Sequence, residues 1–149
     1  MYPPLRRPED VAVLRGALAD GTIDMVGTDH APHASHEKDV PWEDAPRGVI
    51  GLETAVGAVL GAVPLEPAAF FARMSLAPGR LAGLPGGGQW LGAGMAATIS
   101  VIDPGLEWVA GRFHSRSGNS PWRGRPLRGK ARHVLLRGRF TLCDGEVQW

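Results

Sequence analysis

Apolar positions in the first half of the chain recur at helical spacing. Val11, Leu14, Ala17 and Leu18 share one helix face, with Pro8 in the first turn, Glu9 and Asp10 beside it and Gly21 as a stop. The run from Ile23 to Thr28 lacks that period and reads as a buried strand. Leu52, Val56, Val59, Leu60 and Val63 form a second helical stripe, which Pro64 ends. A third helix is expected from Pro67, burying Phe70, Phe71 and Met74. Helix, strand, loop and helix in that order make a slice of a repeating α/β architecture.

The texture changes after Leu84. PGGGQWLGAGM is a glycine-rich connection, and beyond it the short runs TISVID, RHVLLRG and RFTLCDG read as strands. Turn signals at Asp103-Pro104-Gly105 and Asp144-Gly145 separate them. The pattern divides the chain into an α/β part, residues 1–84, and a small β region, residues 85–149.

Composition narrows the class of protein. With 149 residues, 44% of them hydrophobic, and a formal charge of +1, the chain can bury one ordinary core, or it can be a piece of something larger. No apolar run approaches the roughly 20 residues that cross a bilayer, and MYPPLRRPED carries prolines and charges where a secretory signal is apolar. A cytoplasmic protein without a membrane partner is expected. The lone Cys143 excludes an internal disulfide and reads as a core filler. Arg112, Arg116, Arg123, Arg125, Arg128, Lys130, Arg132, Arg137 and Arg139 crowd the last third. Without aromatic stacking residues or a binding fold they read as solvated strand and turn faces rather than a nucleic-acid surface.

The stretch with most chemistry is GTDHAPHASHEK, Gly27 to Lys38, which places Asp29 and three histidines within eight residues directly after the expected strand. In parallel α/β barrels functional groups sit where strands end at the C-terminal face. A carboxylate there can ligate a metal and move a proton. Pro32 would stiffen the loop and aim His33. His30 reads equally as a ligand, a supporting group or packing, while His36 and Lys38 read as solvated. From residue types alone, an Asp capping a turn beside an exposed histidine loop stays an open alternative.

GTDHAPHASHEK also resembles the dihydroorotase signature: Gly or Ala, Ser or Thr, Asp, any residue, Ala-Pro-His, four residues, then Lys. Hydantoinases and allantoinases have a comparable Asp-His pair but usually continue with Cys-Pro or Ser-Pro. YPPLRRPEDVAVLRGALADGTID, EDAPRGVIGLETAV and SRSGNSPWRGRPLRG are similar to further segments of the same family in the same order. The likeness spans nearly the whole chain but only about the final third of the family's usual length. SLAPGR and GAGMAATISVID depart from the family's usual Asn-Pro-Ala-Arg and Gly-Ala-Asp-Ala-Asp.

The resemblance implies the C-terminal part of a (β/α)8 TIM-like amidohydrolase barrel over residues 1–84 and part of a composite β-sandwich over 85–149. It implies that Asp29 ends strand eight, binds zinc and serves as general acid and base, and that His33 binds the substrate's carboxylate. The main chain at Arg47 and Gly48, in APRG where the family has Ala-Pro-Phe-Gly, would hold the pyrimidine ring. Tyr2 stands where the family has a substrate-contacting Asn, which alters one ring contact. Two Zn2+ ions are expected in a full-length site, the family's remaining ligands lying upstream of this segment.

The implied reaction is the reversible cyclisation of N-carbamoyl-L-aspartate to L-dihydroorotate in pyrimidine biosynthesis. The implied alternatives are a non-catalytic partner subunit of aspartate transcarbamoylase or a hydantoinase-type enzyme, and a homo-oligomer is compatible with each. A truncated or misassigned reading frame is a further expectation. Helices that lack their strands would then expose apolar faces, with poor solubility or assembly with another fragment as the result.

Overall fold

The computed structural model describes residues 2–84 and 91–148. Met1 and residues 85–90, which hold most of the expected glycine-rich connection, lie outside the described residues.

The first helix, α1 (Pro8–Asp20), starts as its sequence dictates. Pro8 occupies the first turn, where its missing N–H is no loss, and the Asp10 carboxylate accepts from the Arg7 amide at 3.2 Å. Gly21 closes it in the left-handed region (φ 94°), donating to the Ala17 carbonyl at 3.2 Å. Its apolar stripe is not a buried face, because α1 contains no buried residue.

The run Ile23 to Thr28 corrects the sequence expectation. It bends at Ile23, is otherwise irregular and belongs to no ladder. A parallel strand needs neighbours to pair its amides, and here the Val26 amide finds the Arg73 carbonyl at 3.2 Å instead. Among the described residues, parallel pairing is confined to one bridge just beyond, His30 to Val49.

Residues 34–39 fold around a one-turn helix, α2 (Ser35–Lys38). A 3-10 turn, Leu52–Thr54, leads into α3 (Ala55–Ala62), as the second stripe predicts. The third helix is continuous but irregular: α4 (Pro67–Phe71), a π segment (Ala72–Leu76) and α5 (Ala77–Leu81). Pro78 explains the irregularity. It cannot donate to the preceding turn, and the chain widens so that the Ala77 amide reaches Ala72, five residues back. Phe70 is buried at 4% exposure, but Phe71 lies on the outer side, edge-on to it, and is not a core residue; Met74 is half-buried.

The β region is an antiparallel meander in the order β1-β2-β3-β4, with β1 (Ile99–Val109), β2 (Pro126–Leu136), β3 (Arg139–Cys143) and β4 (Glu146–Val147). Arg137-Gly138 and Asp144-Gly145 make its two-residue hairpin turns, every one of these residues having positive φ as tight β-hairpins favour. Asp103-Pro104-Gly105 does not end a strand as expected. Pro104 lacks a ladder donor, so the pairing of β1 with β2 skips from Asp103 to Glu107 and the strand continues past the irregularity. The clustered arginines are mostly exposed, as expected of strand and turn faces.

The core lies where α3 meets β2. Ile50, Thr54, Val59 and Val63 are buried from the helical side, Ala110 and Leu127 from the β side. Two glycines permit the close approach. A Cβ on Gly57 would meet the Leu127 Cβ at 3.1 Å, and one on Gly129 would collide with the Leu60 Cδ1. Many large apolar side chains remain outside it, Leu5, Trp42 and Leu52 among them. No described helix is long and apolar enough to cross a membrane.

Candidate functional site

Asp29 follows the unpaired run Ile23 to Thr28 with φ 43°, a left-handed backbone that a non-glycine residue seldom adopts. The residue is exposed, which leaves its carboxylate open to solvent. The next residue reverses the chain's loyalties: His30 pairs with Val49, and its Nδ1 accepts from the amides of Gly51 and Leu52 at 3.1 and 3.3 Å. Both amides belong to the entry of the 3-10 turn. The alternatives left open for His30 therefore resolve to a supporting group, since its Nδ1 lone pair is committed to the backbone.

His33 projects from the loop onto the Arg47 carbonyl, its Nε2 donating at 2.9 Å. The opposite ring nitrogen faces Glu37 at 3.9 Å. Glu37 is itself fixed, its carboxylate accepting from the Ala34 amide at 2.7 Å. His33 and the Arg47-Gly48 main chain, separated in sequence, are thus brought together. Tyr2 joins them from the N-terminal side, with the Arg47 guanidinium 4.9 Å from the centre of its ring. Asp29 makes no hydrogen bond among the described residues with any of these groups.

Lys38 corrects its reading as solvated. Its ammonium donates to the carbonyls of Pro46 at 2.5 Å and Gly48 at 2.8 Å, closing the loop on itself. Gly48 is required where it stands. Its φ is 112°, and a Cβ would collide with the Ala31 Cβ at 2.5 Å.

Two residues of the site escaped the sequence reading. Glu53 clasps the segment before β2, accepting from the amides of His114 and Ser115 at 2.8 and 3.0 Å and from the Ser115 hydroxyl at 2.6 Å. Burial pushes its carboxyl up, but those three donors outweigh it and hold the pKa below the usual carboxylate value. Asn119 reaches the Gly48 carbonyl from the same segment, Nδ2 donating at 3.1 Å, and its own carbonyl accepts from the Ile50 amide at 3.1 Å. The turn-forming cluster SGNSP was the available signal.

Metal-binding capacity is limited. Asp29, His30 and His33 do not converge as a three-ligand group; among the described residues such a group occurs only at His133, Cys143 and Asp144 in the β region. There the Arg132 guanidinium already occupies the Asp144 carboxylate at 3.1 Å. Among the described residues, Asp29, His30 and His33 therefore do not by themselves make a metal-binding group.

No protein-family model matches the chain. Among solved structures it is similar to D-hydantoinase (dihydropyrimidinase) from Thermus sp., with a TM-score of 0.87 and 28% identity over 99% of this chain and 34% of that one. L-hydantoinase (dihydropyrimidinase) from Arthrobacter aurescens gives 0.87 and 29% over 99% and 35%. The fold is thus that of part of an α/β amidohydrolase barrel protein, matched over about a third of its length, as expected.

In sequence the chain is similar to dihydroorotases. The chain is 44% identical to the dihydroorotase of Anaeromyxobacter dehalogenans over 146 residues, 95% of this chain and 33% of the relative. It is 45% identical to that of Pelotomaculum thermopropionicum, covering 98% and 35%. The chain spans about a third of the length of the curated relatives it matches.

Proposed function

We propose that the chain carries the acid/base and substrate-orienting portion of a dihydroorotase, for the reversible cyclisation of N-carbamoyl-L-aspartate to L-dihydroorotate in pyrimidine synthesis. The observation that carries the reading is the loop itself: GTDHAPHASHEK brings His33 onto the Arg47 carbonyl and leaves the Asp29 carboxylate, four residues earlier, exposed. Sequence identity of 44% to dihydroorotases against 28% to a structurally similar hydantoinase favours the dihydroorotase reading over the hydantoinase one.

Opening an unactivated cyclic amide requires that a water lose a proton and the ring nitrogen gain one. Asp29 fits both tasks in turn, because its carboxylate is exposed and has no competing partner among the described residues. His33 anchors the substrate's carboxylate through the ring edge that now faces Glu37, the weaker of its two contacts at 3.9 Å. The Arg47-Gly48 main chain and the Tyr2 ring bound the space for the pyrimidine ring, an orienting rather than a chemical contribution. Zinc, expected twice in a complete site, would be held in part by Asp29 and would supply water activation and amide polarisation when bound; its further ligands would come from residues other than those described.

The test is turnover of L-dihydroorotate with added zinc, by this chain and by the chain extended through any in-frame upstream sequence. Activity in either form that is lost in Asp29→Ala supports the proposal. Inactivity in both with no zinc bound would favour a non-catalytic partner of aspartate transcarbamoylase, a reading consistent with the lone carboxylate. Turnover of hydantoin in preference to dihydroorotate would replace it with the hydantoinase reading.

A further inference from the structure

We propose that Asn119, in the segment between β1 and β2, is a positioning residue that fixes the substrate-facing peptide groups at Arg47 and Gly48. The inference rests on the reading of that main chain as substrate-binding.

Glycine at position 48 leaves its flanking peptide planes free to rotate, so something else must set them. Two carbonyls are held. The Arg47 carbonyl accepts from His33 at 2.9 Å. The Gly48 carbonyl accepts from two donors, Lys38 Nζ at 2.8 Å and Asn119 Nδ2 at 3.1 Å, which together use both of its lone pairs. A trans peptide points its N–H opposite its C=O. Holding the Arg47 carbonyl therefore aims the Gly48 amide, the donor available to a ring carbonyl, and holding the Gly48 carbonyl keeps the Val49 amide turned to its bridge with the His30 segment.

Asn119 is itself oriented. The Ser117 hydroxyl, in a residue only 7% exposed, donates to Asn119 Oδ1, and the Asn119 amide donates back to the Ser117 oxygen at 3.3 Å. With Oδ1 committed to Ser117, the amide nitrogen must face Gly48. The Ile50 amide donates to the Asn119 carbonyl at 3.1 Å and gives the contact a second, main-chain anchor. Residues 71 positions apart are joined in this way, so the β region sets the geometry of a site carried by the α/β part.

The decisive variant is Asn119→Asp, which keeps the shape and the Ser117 contact but replaces the donor with a carboxylate facing the Gly48 carbonyl. In the 15N-labelled chain its amide exchange at Gly48 and Val49 should rise about tenfold, with the Gly57 and Leu127 amides of the core unchanged. Titration with N-carbamoyl-L-aspartate should shift the Gly48 resonance in the parent chain and require about tenfold more ligand in the variant. Ser117→Ala, which leaves Asn119 present but free to turn over, should give a smaller change of the same sign and serves if Asn119→Asp does not fold. Exchange at Gly48 and Val49 within about twofold of the parent in both variants would overturn the proposal. A parent chain that ignores the ligand while the variants still loosen Gly48 would uphold the positioning role and reject the substrate reading instead.

Discussion

Residues 50–63 and 110–129 bury Ile50, Thr54, Val59, Val63, Ala110, Ser117 and Leu127 between them, whereas residues 2–49 contain no buried residue at all. The chemistry-bearing loop belongs to the second group. Its shape is held by polar ties rather than by packing: His30 to the Gly51 and Leu52 amides, His33 and Lys38 to carbonyls, and Asn119 to Gly48. Every one of those ties ends within residues 46–52, the threshold of the packed seam. The packed seam and the candidate site thereby fall in different parts of the chain, with a short strip of backbone between them.

The largest expected effect probes that separation. In an active form, Asp29→Asn should lower dihydroorotate turnover by roughly 10²–10⁴-fold, with no fall in melting temperature, since asparagine tolerates φ 43° and an exposed side chain supports no packing. A parallel loss of stability would break the contrast. Gly129→Val should do the reverse in structural terms. The added side chain must displace Leu60 and adopt φ 95°, costing about 1–3 kcal/mol in urea unfolding.

Glu53→Gln is expected to weaken the seam by about 1.5 kcal/mol, the scale of a hydrogen bond to a charged group. Its pH dependence has a definite sign. The folded pKa is depressed, so the stabilisation is present above the usual value of 4.5 and is lost as pH falls through the lower folded value. Parent and variant should converge in acid-unfolding curves at the low end. Smallest of all, Leu14→Ala in α1 should change stability by less than about 0.5 kcal/mol, because Leu14 is 51% exposed. A larger loss in a purified chain would mean that α1 is covered by another copy in solution.

Local patterns in the sequence located α1, α3, the third helix and the terminal hairpins, because period, proline stops and paired turn residues act over a few positions. They misplaced whatever depends on a neighbour distant in sequence. Ile23 to Thr28 has the composition of a strand, yet pairing is a property of two segments. Phe71 follows Phe70 in an apolar helix, and only the packing decides which of them faces inward. At the site, Asp29 and His33 stood out because the signature concentrates them. Glu53 and Asn119 did not, since each acts on backbone groups 61 or more positions away that have no residue-type signal.

The left-handed backbone at Asp29 has an evolutionary corollary. Glycine would occupy φ 43° without steric cost and would relieve the fold of a mild strain. A lineage that no longer needed a proton carrier at this position could therefore drift to glycine there and gain robustness in the same step. The identity of this one residue across related chains would therefore record whether selection acts on a carboxylate at this position.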